Sequence, residues 1–330
     1  MTADANLFED LCRDVEIVSL PQMIGAPSRT DALHDQPTPL ILHCVPLGVD
    51  EQRRHMATIA ATLDRIDPAL FVVDVSAEIA VLSRILSVPA ISIRMHGDRL
   101  DPGHLGAYEA SVGMLAPFDE TIEQDDYPDA LRRRTFYSGG LCTGTAAIGT
   151  KTEARAALGL DPNRRTIVVM TGGGGSGSPW APLTMAARAD PDALFLAIGP
   201  VHREGHETEF ANLKEVGWTD RVTDYLIAAD IVVASAGDNT VHEIARIGRP
   251  FICTPEWRYF AEQQRKSEQL ARVGAAIHMP VWPGSLGEWN EVLRKAEALD
   301  LHAQATLFDP DAAAKCADWL ERTATALWSS

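Results

Sequence analysis

Residues 231–255, IVVASAGDNTVHEIARIGRPFICTP, constrain the fold more than any other stretch of the chain. Four apolar residues, Ile231–Ala234, suit a short buried strand, and the small residues Ser235, Ala236 and Gly237 turn the chain into a helix reaching about Ile247. Gly248 stops that helix and Phe251 opens another apolar strand, so the unit belongs to a parallel sheet. The first helical turn leaves N–H groups unpaired and carries partial positive charge, which makes an anionic ligand the first expectation here.

The rest of the chain can be read around that unit. Its 330 residues exceed one ordinary core and suit two α/β domains. A formal charge of −17 repels nucleic acid and anionic headgroups, so no nucleic-acid partner is expected. The five cysteines, Cys12, Cys44, Cys142, Cys253 and Cys316, form no C-x-x-C pair and read as reduced thiols, not a disulfide frame or a zinc site. No apolar run approaches the ~18 residues of a membrane span, and the acidic opening MTADANLFEDLCRDVE lacks the regions of a signal peptide. The cytoplasm is the compartment these features suggest.

Periodicity places the end of a helix at 6–13, strands at 15–20, 40–45, 70–75 and 89–93, and helices at 51–66, 77–86 and 105–115. A polar loop, RMHGDRLDPGH (94–104), hangs from the last of those strands. Between 117 and 150 the pattern dissolves into acidic residues, glycines and the triplet Arg132, Arg133, Arg134, read as a solvated or salt-bridged surface. A domain boundary near Gly140 follows, dividing the chain into 1–140 and 141–330. The second part alternates again: strand 166–170, the run TGGGGSGS (171–178), helix 182–189, strand 193–198, a short helix 225–229 and the central unit. A loop at 257–264, a helix through 271, a strand at 274–278 and terminal helices at 286–299 and 311–323 complete it. Two doubly wound parallel sheets, with ligand loops at the strand C-termini, are the expected architecture.

Three turns in the second half could carry chemistry. Gly172, Gly173, Gly174, Gly175 and Ser176 lie between strand and helix, where backbone can wrap a phosphate, although the run matches neither a Walker nor a Rossmann fingerprint and reads equally as a surface loop. Gly237, Asn239 and the helix start can hold a second part of an anion. Glu243, one turn on, can accept from a vicinal diol, but Thr240-x-x-Glu243 also fits a capping box that would consume the carboxylate internally. Glu262 and Gln263 suit sugar hydroxyls, and they are equally a common solvated pair. In the first half, loop 94–104 gathers His96, Asp98, Arg99, Asp101 and His104, a source of a general base or a salt-bridged loop.

The order TGGGGSGS, then VTDYLIAADIVVASAGDNTVHEIARIGRPFICTP, then EQQ resembles the C-terminal donor domain of GT-B glycosyltransferases of the MurG-like type, closely over 166–277 and more weakly over 71–118. The resemblance implies a UDP-sugar donor and no cofactor or protein-bound metal. Gly173, Gly174, Gly175 and Ser176 with Gly237, Asn239 and Thr240 would hold the diphosphate, and Glu243 the ribose. Glu262 and Gln263 would meet the donor sugar, and the backbone near Val222 the uracil. By its position, loop 94–104 resembles the family's cleft loop, with Asp98 and His104, then His96, as candidate bases for inverting transfer to an acceptor hydroxyl.

The family opens with a strand and a glycine-rich loop ending in histidine, for which this sequence shows no counterpart; residues 15–20 look like the second strand. The expectation is therefore an incomplete first domain, restored by upstream residues or a partner chain. The reading is a hexosyl or N-acetylhexosaminyl transferase acting on a saccharide, lipid-linked or small-molecule acceptor, cytoplasmic or peripheral to the membrane. Its rivals are a non-catalytic or partner-dependent nucleotide-sugar-binding subunit and a UDP-sugar epimerase of the same fold. His202 and His206, in a glycine-containing loop, read as solvated and not as metal ligands, and Trp282 and Trp289 as packing for the terminal helices.

Overall fold

The structure, a computed structural model, describes residues 1–4, 14–23, 25–141, 148–172, 175, 177–205 and 208–329. The expected helix end at 6–13, with Cys12, lies outside the described residues, as do Cys142, Gly173, Gly174, Ser176, His206 and Glu207.

Two parallel sheets form. The first runs β1 (Phe71–Asp74), β2 (Ala90–Ile93), β3 (Gly113–Ala116), β4 (Thr135–Tyr137), in sequence order. Parallel neighbours need crossover helices, and Ala77–Ile85 and Pro102–Ala110 supply them, packing closely through Ala80 and Ala107. Several expectations fail here. Among the described residues, 15–20 make one isolated bridge, Thr2 to Ser19, and no strand pairs with either stretch; 40–45 form turns, in which Leu42 N–H closes on Pro39 O. The helix expected over 105–115 ends at Ala110: the Ser111 hydroxyl donates to Ala107 O, and 113–116 turn extended as β3. β4 lies in the stretch that showed no pattern. Arg132 and Arg134, read as a surface, donate to the carbonyls of Tyr127, Gln124 and Ser111 and brace that stretch.

The second sheet contains β5 (Thr166–Met170), β7 (Leu194–Ile198), β9 (Leu213–Gly217), β10 (Ile231–Ala234), β11 (Phe251–Cys253) and β12 (Ile277–His278), and β6 (Ser178–Pro179) pairs separately with β8 (Val201–His202). Its order is β12-β11-β10-β5-β7-β9. The chain leaves β5 in one direction and returns to its other side with β10, so a crevice opens above the β5–β10 junction. Both faces are buried: Val168 and Val232 join one apolar cluster, Ile167, Val169 and Val233 the other. Trp289 is fully buried in the second cluster and donates its indole N–H to Pro182 O at 2.9 Å, so it packs the helix Leu286–Glu297 against the sheet.

The last helix, Ala312–Trp328, departs from a simple division of the chain at 140. It returns to the first sheet, where Trp319 stacks on Phe136 at 4.9 Å and the Trp328 indole donates to Ala69 O. The two halves also touch directly: Asp98 N–H donates to Phe260 O at 2.7 Å, and Arg272 to Thr121 O at 2.7 Å.

Candidate active site

Three chain reversals in the second half converge over the crevice. Gln263, 4% exposed, accepts through one oxygen the N–H of Ala236 (3.2 Å) and of Glu256 (2.9 Å), tying the turn after β10 to the loop after β11. The loop after β5 lies against the same place. A Cβ on Gly175 would stand 2.1 Å from Glu256 Oε1, so any side chain there would displace the Glu256 carboxylate.

Between them the helix Asp238–Ile247 begins at Gly237, and no side chain among the described residues caps it. Asp238, at its first position, pairs with Lys266, which is 1% exposed and neutralises its charge. Two buried hydroxyls at this point, Thr171 Oγ1 and Ser235 Oγ, have no hydrogen-bond partner among the described residues. Unpaired N–H groups and two hydroxyls without partners thus lie together at a helix start, the arrangement of donors that an anion could accept from.

The helix boundary also settles the capping question for Glu243. Thr240 is the third helical residue, not the cap, so Thr240 and Glu243 form no capping box. Glu243 instead accepts from Thr223 Oγ1 and lies 4.0 Å from Arg246, one-fifth exposed, beside the helix that Val222 opens. Its carboxylate retains acceptor capacity.

Glu262 starts the helix Glu262–Arg272 just after Phe260 and Ala261, two consecutive non-glycine residues in the left-handed region (φ 60° and 52°). Such a pair is costly and persists only where the surroundings enforce it. Here the contacts come from the other domain: Phe260 O takes the Asp98 N–H, its ring packs against His43 and His104, and Arg99 stacks on it at 5.1 Å. Arg99 then reaches Glu262 at 2.8 Å.

The residues of loop 94–104 divide between two sides. His96 is fully buried, with Nε2 2.7 Å from Ile122 O, its ring packed on Phe118 and burial holding its pKa well below the ordinary value. Asp98 is held by Arg265 at 2.7 Å and faces a separate recess with Gly97, Leu100 and Gln124. Neither lines the main cleft. His104 does, together with Asp101, Arg99, Glu262, Phe260, Leu40 and Leu42, around a cavity of about 740 Å³. That volume suits a small organic ligand.

Sequence reasoning missed His43. It lines the same cavity and sits 2.6 Å from Asp101 through Nε2, and its backbone N–H is held by Glu78 at 2.6 Å. No local pattern marks it, since an apolar stretch with one histidine reads as a strand and the contact with Asp101 is tertiary.

Two Rossmann-like parallel-sheet domains facing one cleft are the GT-B fold. Residues 182–282 match the glycosyltransferase family 28 C-terminal domain. A UDP-N-acetylglucosamine--N-acetylmuramyl-(pentapeptide) pyrophosphoryl-undecaprenol N-acetylglucosamine transferase of Nocardioides sp. is 26% identical over 84% of this chain and 80% of its own length. The enzyme of the same name from Cutibacterium acnes is 32% identical over 41% of this chain and 38% of its own. Among solved structures, Acinetobacter baumannii MurG superposes with a TM-score of 0.60 at 12% identity, over 96% of this chain and 87% of that one. The calicheamicin glycosyltransferase CalG4 gives 0.59 at 15% identity, over 85% and 79%. The chain is similar to the MurG-like GT-B glycosyltransferases, in sequence over its second half and in fold over most of its length.

Proposed function

We propose that this protein transfers a sugar from a UDP-sugar to an acceptor hydroxyl held in the cleft, with inversion at the anomeric carbon. The observation that carries this reading is the helix start at Gly237, which no side chain among the described residues caps, with the hydroxyls of Thr171 and Ser235, without partners among the same residues, beside it. Charge developing on the departing UDP would meet fixed N–H dipoles there, a preorganised stabilisation that needs no metal ion. Gly175, Gly237, Asn239 and Thr240, with Gly173, Gly174 and Ser176 of the same run, serve the diphosphate in this reading, Glu243 the ribose, the backbone near Val222 the base, and Glu262 with Gln263 the sugar.

The names of those two transferases make N-acetylglucosamine the first donor sugar to try. Those names also carry a lipid-linked acceptor, and the cavity's apolar wall of Pro39, Leu40, Leu42 and Phe260 favours an acceptor with an apolar body. Among the described residues no helix is long and apolar enough to cross a membrane.

Calorimetry with UDP and UDP-N-acetylglucosamine tests the donor site. Glu243→Ala removes the acceptor for a ribose diol, a loss of about 2–3 kcal/mol or roughly 30- to 150-fold in Kd. Affinity within twofold of the parent, in a folded variant, rejects the donor assignment.

A further inference from the structure

The cleft contains one carboxylate on which two imidazoles and a helix end converge. Asp101 caps the helix Pro102–Ala110: its Oδ1 accepts the Gly103 N–H at 3.0 Å and approaches His43 Nε2 at 2.6 Å, and its Oδ2 approaches His104 Nδ1 at 2.5 Å. Burial works to raise its pKa, but the hydrogen bonds from His43 and His104 outweigh that and hold the carboxyl well below the usual range. An ionised carboxylate only accepts, so both histidines must present N–H to it.

Counting protons then separates the two rings. His104 Nε2 faces the Arg99 guanidinium at 3.1 Å, a group that only donates. His104 is therefore neutral, with its proton on Nδ1 and its lone pair taken by Arg99; burial, which lowers its pKa, favours the same state. His43 gives its Nε2 proton to Asp101, and its Nδ1 has no hydrogen-bond partner among the described residues. Its side chain remains one-fifth exposed, on the cavity wall.

The surroundings are shaped to seat that ring. A Cβ on Gly103 would lie 2.6 Å from His43 Nε2 and 2.8 Å from Cε1, so glycine is required beneath it. Glu78 fixes the backbone by accepting the N–H of both His43 and Cys44. Phe260, from the donor domain, packs at 5.3 Å on the side of the donor loop.

We propose that His43 is the catalytic base of the transfer and that Asp101 is its positioning residue, an inference that rests on the transfer reading above. As the acceptor oxygen bonds to the anomeric carbon, the bond from that carbon to the β-phosphate oxygen breaks and its electron pair leaves with UDP. The acceptor proton passes to His43 Nδ1, and the imidazolium so formed is paired with the Asp101 carboxylate until it returns the proton to water. His104, itself held by Arg99, occupies the other oxygen of that carboxylate and takes no proton.

The same three residues, His43, Asp101 and His104, place potential ligand atoms within 4.8 Å of one another, so a bound divalent cation is the competing reading. The test uses the full chain. Nitrogen-detected NMR of 15N-histidine protein at pH 8 reports the tautomer without any ligand; the expected result is an unprotonated His43 Nδ1 beside a protonated Nε2. UDP release from UDP-N-acetylglucosamine, with water as acceptor, then reads the chemistry. His43→Gln is expected to lose 10²-fold or more in turnover with UDP affinity within twofold of the parent. Asp101→Asn should lose less and move the acid limb of the pH–rate profile to lower pH, a change a purely structural role would not produce.

Gly103→Ala, which displaces the ring and keeps the imidazole, should match His43→Gln and covers the case in which His43→Gln fails to fold. Normal turnover in His43→Gln, or in Gly103→Ala where the former does not fold, overturns the proposal, as does a proton on His43 Nδ1. Stoichiometric Zn²⁺ binding by calorimetry together with loss of turnover in EDTA overturns it in favour of the metal. Failure of the parent protein to bind UDP would instead sink the transfer reading, a result the tautomer measurement keeps separate.

Discussion

Arg99 and Glu262 join loop 94–104 of the first domain to the start of helix Glu262–Arg272 in the second, and their coupling can be worked from the structure. The pair is 2.8 Å apart with side chains 6% and 22% exposed, so it is shielded on the guanidinium side and partly wet on the other. Exposed pairs contribute roughly 0.2–1 kcal/mol, whereas breaking a buried pair costs about 3–5 kcal/mol. An intermediate position gives an expected coupling of about 1.5–2 kcal/mol between the two side chains. Arg99→Met alone should cost more than that, because Arg99 also donates to His96 O, reaches His104 and stacks on Phe260. Glu262→Gln should cost less, since the amide oxygen still accepts. The double-mutant cycle cancels the additional contacts and isolates the pair. Urea unfolding of the four proteins, with equal m-values, is the assay. A coupling below about 0.5 kcal/mol would refute the view that this bridge holds the two loops together.

Two further outcomes follow from buried contacts. Gly175→Ala sets a methyl against Glu256 Oε1 and should weaken UDP binding about tenfold by calorimetry, with Glu256→Ala in the same chain restoring most of it. Burial lowers the His242 pKa from 6.5 to about 4, so its contribution to stability is complete above pH 6.5 and is lost as pH falls toward 4, about 3 kcal/mol in all. Thermal midpoints measured from pH 7 to 4 should fall less steeply in His242→Gln than in the parent; parallel curves would contradict the assignment.

The second sheet was legible because its signals are local. Ile231–Ala234 is apolar throughout, Gly237 and Gly248 bracket the helix, and β5, β7, β10 and β11 are short and buried, whereas the edge strand β9, with Lys214 and Glu215 exposed, carries no such signal and was not expected. The first half was less so. Leu40 and Ile41 look like strand residues but are 83% and 65% exposed, because a strand needs a neighbour and the sequence does not say whether one is there. β4 has three residues beside an arginine triplet, too short for any period to emerge. Within the site, Asp101 and His104 were visible as a polar loop, yet nothing in the sequence separates them from Asp98 and His96, whose side chains point elsewhere. His43 became visible only through Gly103, which leaves room for a ring contributed from 60 positions upstream.

The return of helix Ala312–Trp328 to the first sheet bears on how the chain is made. Phe136 acquires its ring partner, and Ala69 O its indole donor, only from residues synthesised at 319 and 328. The second sheet is built from an unbroken stretch and can close while translation continues, but the first must wait with one face uncovered until this helix leaves the ribosome. In biogenesis, the domain encoded first is thus the one completed last.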